Sequence, residues 1–228
     1  MTVDKKPKLI AVFGGTFDPF HLGHKAMLEG IRHCLDPDLL LLIPCAEPAH
    51  RSRPSASAEH RLAMARLAIQ GYEKVLVDDC ELNRQKQSFT IDTLMYLRNQ
   101  YGDEVSIVFC VGKDAFDGLD SWYRCEDILR YTHIAVLPRE VDRGDDKIAS
   151  TGLPQCCKAA SWCEPSRLSI LPFGQLTRLD IPLYPVSSTT VRKEIRKHSG
   201  NVLHTALEGM LPAAVIEYID QHGLYIDT

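Results

Sequence analysis

Two histidines, His21 and His24, stand three residues apart shortly after a pair of adjacent glycines, Gly14-Gly15. The apolar run 9–13 before the glycines predicts a buried strand, and the apolar periodicity that resumes at Leu22 predicts a helix. A strand, a glycine loop and a helix start in this order place backbone N–H groups and the positive end of a helix dipole around one gap. The stretch therefore predicts an anion site with two imidazoles beside it.

Other residues with useful chemistry also follow predicted strands directly. They are His50-Arg51, Gly112 to Asp114, and Arg139. The carboxyl ends of parallel strands meet at one edge of a sheet, and ligands of such sheets bind beyond that edge. We therefore expect these residues to lie near the glycine loop.

Strand and helix patterns alternate through about the first 140 residues. Strands are predicted at 8–13, 39–43, 74–77, 105–111 and 134–137, and helices at 22–35, at 58–70 and after an N-cap at Ser88. The alternation predicts an α/β fold, a Rossmann-like doubly wound parallel sheet with helices on both faces.

The C-terminal part predicts two helices, 188–198 and 212–222, after short strands at 169–171 and 181–184. The polar stretch 140–165 is predicted to be a surface loop. No linker divides the chain, so we expect a single domain over 1–228, with a core to about 185 and a small helical part from 186 to 228.

Composition limits the classes of partner. The chain has 228 residues, of which 45% are hydrophobic, and a net charge of −4. This charge predicts neither nucleic-acid nor membrane-surface binding. The charged start 1–8 lacks the apolar region of a signal peptide, and no apolar run nears the roughly 20 residues of a membrane span. We therefore expect a cytoplasmic protein, of an oligomeric state that the sequence does not indicate.

Eight cysteines are scattered without C-x-x-C pairs, which is typical of reduced and mostly buried thiols. Three of them, Cys156, Cys157 and Cys163, lie close together in the sequence and could in principle form a zinc site. Their spacing matches no usual ligand pattern and no histidine follows closely, which disfavours that interpretation.

The glycine loop does not fit two common nucleotide motifs. It lacks the spacing of G-x-G-x-x-G and the Gly-Lys-Ser/Thr of a Walker A loop. These differences disfavour a hydride-transferring dehydrogenase and a P-loop kinase. A tight turn with two incidental histidines is also disfavoured, because Asp18, His21 and His24 stand at fixed offsets around a helix start.

The stretch from Gly14 to His24, with its His-Leu-Gly-His ending, resembles the phosphate-binding motif of the H-x-G-H nucleotidyltransferase superfamily. Within that superfamily it is most similar to the bacterial nicotinate-mononucleotide adenylyltransferase family. Supporting segments are 44–51, Ser88-Phe89-Thr90, 112–114, Trp122, 186–192 and 218–225. The chain departs from the family's Pro-Pro-His-Lys segment in Ala49 and Arg51.

The resemblance implies transfer of AMP from ATP to nicotinate mononucleotide, giving deamido-NAD and pyrophosphate. The sequence shows no nucleophile–base constellation, which is consistent with direct in-line displacement, because the acceptor phosphate is already an anion. The main task is to bring two polyanions together and to stabilise the developing charge. The resemblance also implies Mg²⁺ that is carried by the ATP phosphates and held by no protein ligand.

The resemblance assigns roles to residues along the whole chain. It implies that His24 contacts the α-phosphate and His21 the neighbouring phosphates. The ATP phosphates would be bound by Gly14, Gly15, Thr16, Phe17, Asp18, His50, Arg51, Ser188, Thr189 and Arg192, with Arg139 as a possible extra phosphate contact. Gly112 and Asp114 would bind a ribose, and Ser88, Phe89, Thr90 and Trp122 would form the nicotinate pocket.

Structural alternatives stay open for some of these residues. Asp114 also suits an ordinary helix cap, Trp122 a core position, and the basic helix after Ser188 a solvated face. Two other functions remain open as well. One is another adenylyl- or cytidylyltransferase, such as one acting on phosphopantetheine, and the other is a nucleotide-sensing module without catalysis.

Overall fold

The computed structural model describes residues 7–46, 53–84, 86–138, 152–198 and 200–226, with side chains at 200 and 201 left aside. Its centre is a sheet of seven parallel strands in the order β3-β2-β1-β4-β5-β7-β6. The strands are β1 Leu9–Gly15, β2 Leu39–Pro44, β3 Val75–Val77, β4 Ser106–Gly112, β5 His133–Leu137, β6 Ser161–Trp162 and β7 Gln175–Arg178. The predicted parallel α/β fold is confirmed.

Eight α-helices surround this sheet in the described part of the chain. They are α1 Leu22–Leu35, α2 Ala58–Ala68, α3 Thr90–Tyr101, α4 Lys113–Asp117, α5 Cys125–Ile128, α6 Ser188–Lys197, α7 Gly200–Leu207 and α8 Ala213–His222. Short 3₁₀ turns lie at Leu119–Ser121, Gln155–Cys157 and Pro165–Ile170.

Alternate side chains of β1 enter two different cores. Ala11 and Phe13 pack with α1, α2 and the C-terminal helices α6 to α8, while Ile10 and Val12 pack with α3, α4 and α5. Both faces of the strand are buried, which explains why the strand sequences are uninterrupted apolar runs. Because α6 to α8 pack into the same core as β1, the C-terminal helices hold fixed positions relative to the sheet.

The order of strands reverses between β1 and β4. From β1 the chain moves outward through β2 and β3, and it then returns to β4 on the other side. Such a reversal opens a crevice at the carboxyl ends of the two strands. The end of β1 carries Gly14 and Gly15, and the end of β4 carries Gly112.

Several local predictions were wrong. Phe89, not Ser88, is the N-cap of α3. The predicted strand 169–171 lies instead in the 3₁₀ turn Pro165–Ile170 and its C-cap, and 181–184 is not a strand. α7 and β7 were not predicted from the sequence. The described part of the predicted loop 140–165 includes a 3₁₀ turn and β6, whereas 140–151 lie outside the described residues.

Candidate active site

The loop after β1 is folded tightly against its own aromatic side chain. A Cβ on Gly15 would lie 2.8 Å from the Phe17 ring, which leaves room for glycine only. Phe17 itself has a φ of 50° and is almost fully buried. The Gly15 carbonyl accepts a hydrogen bond from the N–H of Cys45, 2.9 Å away, which ties the loop to the end of β2.

His21 and His24 cap the first turn of α1 reciprocally. The Nδ1 atom of His21 accepts the backbone N–H of His24, and the Nδ1 atom of His24 accepts the backbone N–H of His21, both at 3.2 Å. The two rings stack with their centroids 3.6 Å apart. The three-residue spacing therefore reproduces a capping box with imidazoles in place of the usual hydroxyl and carboxylate.

This capping fixes the tautomer of both rings. An imidazole nitrogen that accepts a hydrogen bond carries no proton, so the proton of each neutral ring is on Nε2. His21 and His24 thus each present one N–H donor. Two such donors beside a helix N-terminus are suited to binding phosphate oxygens.

Burial keeps the histidine pair neutral. His24 lies among Phe13, Phe17 and Phe20, with ring centroids 6.3, 5.0 and 5.3 Å away. Desolvation lowers the pKa of His21 to about 4. Desolvation, followed by repulsion from His21, also lowers the pKa of His24. At neutral pH both rings are therefore uncharged donors.

Gly23 lets a second helix approach the pair. A Cβ at this position would lie 2.9 Å from Nδ1 of His21 and 3.0 Å from the carbonyl oxygen of Val186. Any side chain would displace either the His21 ring or the chain leading into α6. The glycine between the two histidines is thus a steric requirement of the site.

Asp18 connects the phosphate loop to distant parts of the chain. Its carboxylate accepts the N–H groups of Ser55 and Ala56, at 2.7 and 3.0 Å, and the hydroxyl of Tyr225 at 2.8 Å. Burial and the neighbouring carboxylate raise the pKa of Tyr225. Asp18 was predicted among the phosphate-binding residues, and the structure places it as the tether that shapes the loop.

The N-terminal turn of α6 meets the same loop. Ser187 caps the helix by accepting the N–H of Thr190 at 3.1 Å. Ser188 donates to the carbonyl of Pro19 at 3.2 Å, and Arg192 donates to the carbonyl of Asp18 at 2.6 Å. Thr189, on the same turn, is exposed. The structure thus brings Ser188 and Arg192 to the loop after β1, and their contact with the ATP phosphates stays a prediction.

Arg61 of α2 stabilises the loop after β1, and it was not among the predicted site residues. Its side chain is only 2% exposed, and its NH1 group donates to the carbonyls of Thr16 and Cys45 at 2.9 and 2.7 Å. Two carbonyl oxygens beside the anion site are thereby bonded to a buried cation, which makes the site more positive. No local pattern distinguishes this arginine from others on helices.

The end of β4 carries the predicted ribose-binding pair. Gly112 is the exposed N-cap of α4, and a Cβ there would meet no atom within 4 Å. Asp114 is exposed in the first turn of α4, while the neighbouring Lys113 is buried and pairs with Asp117. Because β4 pairs with β1, Gly112 opens onto the same crevice as the glycine loop.

Trp122 and Phe89, which were predicted to line a pyridine pocket, are both half-buried. Trp122 lies edge-on to Phe109 of β4, with ring centroids 6.2 Å apart. Phe89 packs on Tyr123, which sequence reasoning missed, at 4.6 Å. The Phe89 N–H donates to the Asp92 carboxylate at 3.3 Å, so this amide already has a hydrogen-bond partner within the protein.

A cavity of about 970 Å³ lies between the loop 53–59 and the segment 82–88. Its lining includes four basic residues and one acidic residue, namely Arg53, Arg61, Arg84, Lys86 and Glu59. Arg84 also donates to the hydroxyls of Ser88 and Thr93. The cavity is large enough for a mononucleotide, and its charge suits an anion.

His50, Arg51 and Arg139, which were predicted as phosphate contacts, lie outside the described residues. No helix in the described part of the chain is long and apolar enough to span a membrane.

Comparisons with known proteins agree on one family. The model of the cytidylyltransferase-like family matches residues 12–194. A probable nicotinate-nucleotide adenylyltransferase of Cellvibrio japonicus is 36% identical over 216 residues, covering 95% of this chain and 98% of the relative. One from Pseudomonas syringae pv. tomato is 37% identical over 219 residues, covering 96% and 94%.

A solved structure shares the fold at lower identity. The nicotinic acid mononucleotide adenylyltransferase of Plasmodium falciparum, complexed with NaAD, has a TM-score of 0.70 at 20% identity and covers 96% of this chain and 97% of its own. The identity to the bacterial relatives extends over nearly the whole chain. The chain therefore belongs to the cytidylyltransferase-like nucleotidyltransferases and, among them, to the nicotinate-nucleotide adenylyltransferase family.

Proposed function

We propose that this protein transfers AMP from ATP to nicotinate mononucleotide, giving nicotinate adenine dinucleotide and pyrophosphate. The observation that carries the proposal is the stacked pair His21 and His24, which offers two neutral N–H donors at the N-terminus of α1. The relatives named above are nicotinate-nucleotide adenylyltransferases.

The reaction needs no nucleophilic side chain. A phosphate oxygen of the mononucleotide attacks the α-phosphorus of ATP, and the bond from that phosphorus to the bridging oxygen breaks, so pyrophosphate leaves with the electron pair. Positioning and electrostatic stabilisation supply the catalysis. His24 donates its Nε2–H to the transferring phosphate, and His21 donates to a neighbouring phosphate.

The leaving pyrophosphate is bound at the N-terminus of α6. The helix dipole and the backbone N–H groups of its first turn favour negative charge, and the guanidinium of Arg192 lies beside them. Thr189 is exposed at this turn and is available for an oxygen of the nucleotide. Asp114, at the end of β4, binds the ribose hydroxyls.

A divalent metal accompanies ATP in this reaction, and we propose Mg²⁺. Asp18, the carboxylate of the phosphate loop, already accepts two backbone N–H groups and one hydroxyl. We therefore do not assign Asp18 as a metal ligand and infer that the cation is held by the nucleotide's phosphates. Mg²⁺ would neutralise charge on the β- and γ-phosphates.

The acceptor ring is bound between Trp122 and the N-terminus of α3. An aromatic face suits a pyridine ring, and the positive end of a 12-residue helix suits the ring carboxylate. Because Asp92 already accepts the Phe89 N–H, we assign the carboxylate contact to Ser88 and Thr90. This arrangement favours the acid over the amide, whose NH₂ group would face donors.

An assay of pyrophosphate release tests the proposal directly. The purified protein is supplied with ATP, Mg²⁺ and one acceptor at a time, either nicotinate mononucleotide, nicotinamide mononucleotide or phosphopantetheine. We expect the highest kcat/KM with the acid mononucleotide. Activity with phosphopantetheine alone would instead assign another transferase function, and no release with any acceptor would indicate a nucleotide-sensing module.

A further inference from the structure

Three side chains with metal-binding atoms meet outside the proposed active site. Asp120 lies in the 3₁₀ turn after α4, Cys125 is the first residue of α5, and Cys156 lies in the 3₁₀ turn Gln155–Cys157. One ligand atom from each, a carboxylate oxygen and two sulfurs, lies within 4.8 Å of the other two. The sequence separates these residues by up to 36 positions, so no short motif marks them.

Backbone hydrogen bonds hold this group together. The carboxylate of Asp120 accepts the N–H of Gln155 at 2.8 Å and the N–H of Cys156 at 3.0 Å. The sulfur of Cys125 lies 3.8 Å from the carbonyl oxygen of Asp120. The carboxylate thus fixes the position of one cysteine, and its own backbone contacts the other.

We propose that Asp120, Cys125 and Cys156 form a binding site for a thiophilic divalent cation, with Zn²⁺ as the best match. Thiolates select zinc over Mg²⁺ or Ca²⁺, and a carboxylate is a common additional ligand. With Zn–S bonds of about 2.3 Å, tetrahedral ligand atoms lie roughly 3.5–3.8 Å apart. A contraction of about 1 Å from the present positions is sufficient.

The surroundings allow both entry and a fourth ligand. Asp120 is exposed, and Cys125 and Cys156 are half-buried, so a cation reaches the group from solvent. The fourth position is filled by water or by Cys157, whose sulfur lies 3.9 Å from that of Cys156. Binding releases the two thiol protons of Cys125 and Cys156 to solvent.

The structure regroups the cysteines that cluster in the sequence. Cys156 and Cys157 pack against the core on the α3 side of the sheet, whereas Cys163 packs against the core on the α1 side. Cys163 is therefore no candidate ligand. It serves as a matched control, because it is a half-buried cysteine of the same segment.

Two ligands of the proposed cation site lie on either side of Trp122 in the chain. Asp120 and Cys125 flank this residue in the chain, and the Trp122 carbonyl accepts the N–H of Cys125 at 3.2 Å. A bound cation would join both sides of this turn to the segment at 155–157. The site would therefore hold the tryptophan turn in place, whatever ligand the tryptophan contacts.

Metal titration of the full-length protein tests the site. The protein is reduced with a phosphine, stripped of metal with a chelator and titrated with Zn²⁺ by calorimetry and with Co²⁺ by absorbance. We expect one Zn²⁺ per chain and a thiolate-to-cobalt charge-transfer band. Cys125→Ser and Cys156→Ser each remove one of the two thiolates, so each should lower the band by about half and weaken Zn²⁺ binding at least tenfold.

Two controls separate this site from other thiols and imidazoles. Cys163→Ser and His24→Ala should both retain the band and the affinity. Asp120→Asn keeps both thiols, so it should weaken Zn²⁺ binding while a cobalt–thiolate band remains. This variant tests the site even if a serine variant fails to fold. Absence of the band in the reduced wild-type protein, or an unchanged band in folded Cys125→Ser and Cys156→Ser, would overturn the proposal.

Discussion

The two ends of the proposed active site are built in different ways. At the phosphate end Asp18 and His21 are buried, His24 is half-buried, and the polar groups are bonded to one another, since His21 and His24 cap each other and Asp18 has three protein donors. At the pyridine end Trp122 is half-buried and Tyr123 is 54% exposed. Both aromatics follow short helical turns.

This difference suggests that the two ends affect different kinetic parameters. Donors that are fixed before substrate binds require no reorganisation during the reaction, so they act on turnover. Aromatic contacts on a partly open surface act on the binding and choice of the acceptor. We therefore expect turnover to depend on the phosphate end and acceptor affinity on the pyridine end.

The largest effect is expected for His24→Ala. Removal of one donor at the transferring phosphate should lower kcat by about 10²–10³-fold. Since ground-state contacts to the nucleotide remain, the KM for ATP should change much less. Steady-state kinetics measure both values, and circular dichroism checks the fold. Near-normal turnover in a folded variant would remove His24 from the reaction.

Asp18→Asn should destabilise the phosphate end. An amide offers one acceptor oxygen and turns an NH₂ group toward the N–H groups of Ser55 or Ala56 or the hydroxyl of Tyr225. We expect a loss of about 2–3 kcal/mol in the free energy of unfolding, measured in urea. Tyr225→Phe, which removes one of these three bonds, should cost only about 1 kcal/mol. Equal stability of Asp18→Asn and wild type would contradict the tethering role.

The capping histidine makes stability depend on pH. The pKa of His21 is about 4 in the folded protein against 6.5 for a free side chain, so the unfolded chain binds more protons between these values. Stability should therefore fall as pH decreases from 6.5 toward 4, with about 2 kcal/mol lost through this residue between pH 7 and pH 5.

The variant His21→Asn isolates this contribution. Asparagine keeps an acceptor for the helix cap but does not titrate. Its loss of unfolding free energy between pH 7 and pH 5 should be about 2 kcal/mol smaller than that of the wild type. The same loss in both proteins would mean that His21 does not need to be neutral in the folded state.

The effect expected at the pyridine end is smaller than those of the His24, Asp18 and His21 substitutions. Trp122→Ala should raise the KM for nicotinate mononucleotide about tenfold, or about 1.4 kcal/mol, with little change in the KM for ATP. The matched control is Trp162→Phe, which alters the other tryptophan of the chain and should leave both values unchanged. Equal increases in both KM values for Trp122→Ala would remove this residue from the pyridine pocket.

The buried strands β1, β2, β4 and β5 could be predicted because each is a continuous apolar run. β7 was missed because Leu176 is flanked by polar residues, and only Leu176 and Thr177 are buried. α7 was missed because a glycine commonly ends a helix, whereas Gly200 begins this one. In both cases tertiary packing outweighs the local pattern.

In the candidate site, too, the contacts between distant parts of the chain could not be predicted from the local sequence. The apolar periodicity from Leu22 predicted a helix start beside His21 and His24, but not that each ring caps the other's backbone. The partners of Asp18 lie 37, 38 and 207 residues away in the chain, so no local pattern reveals them. Arg61 gives no sequence signal, because only its hydrogen bonds to the carbonyls of Thr16 and Cys45 distinguish it from other arginines.

The proposed catalysis requires that His21 and His24 are neutral donors with their protons on Nε2. Nitrogen NMR of the ¹⁵N-histidine-labelled protein at pH 7 tests this directly, with His21→Asn and His24→Ala used for assignment. We predict that both rings give the signals of the neutral Nε2–H tautomer. A doubly protonated ring, or a proton on Nδ1 of His24, would contradict the proposed role of the pair.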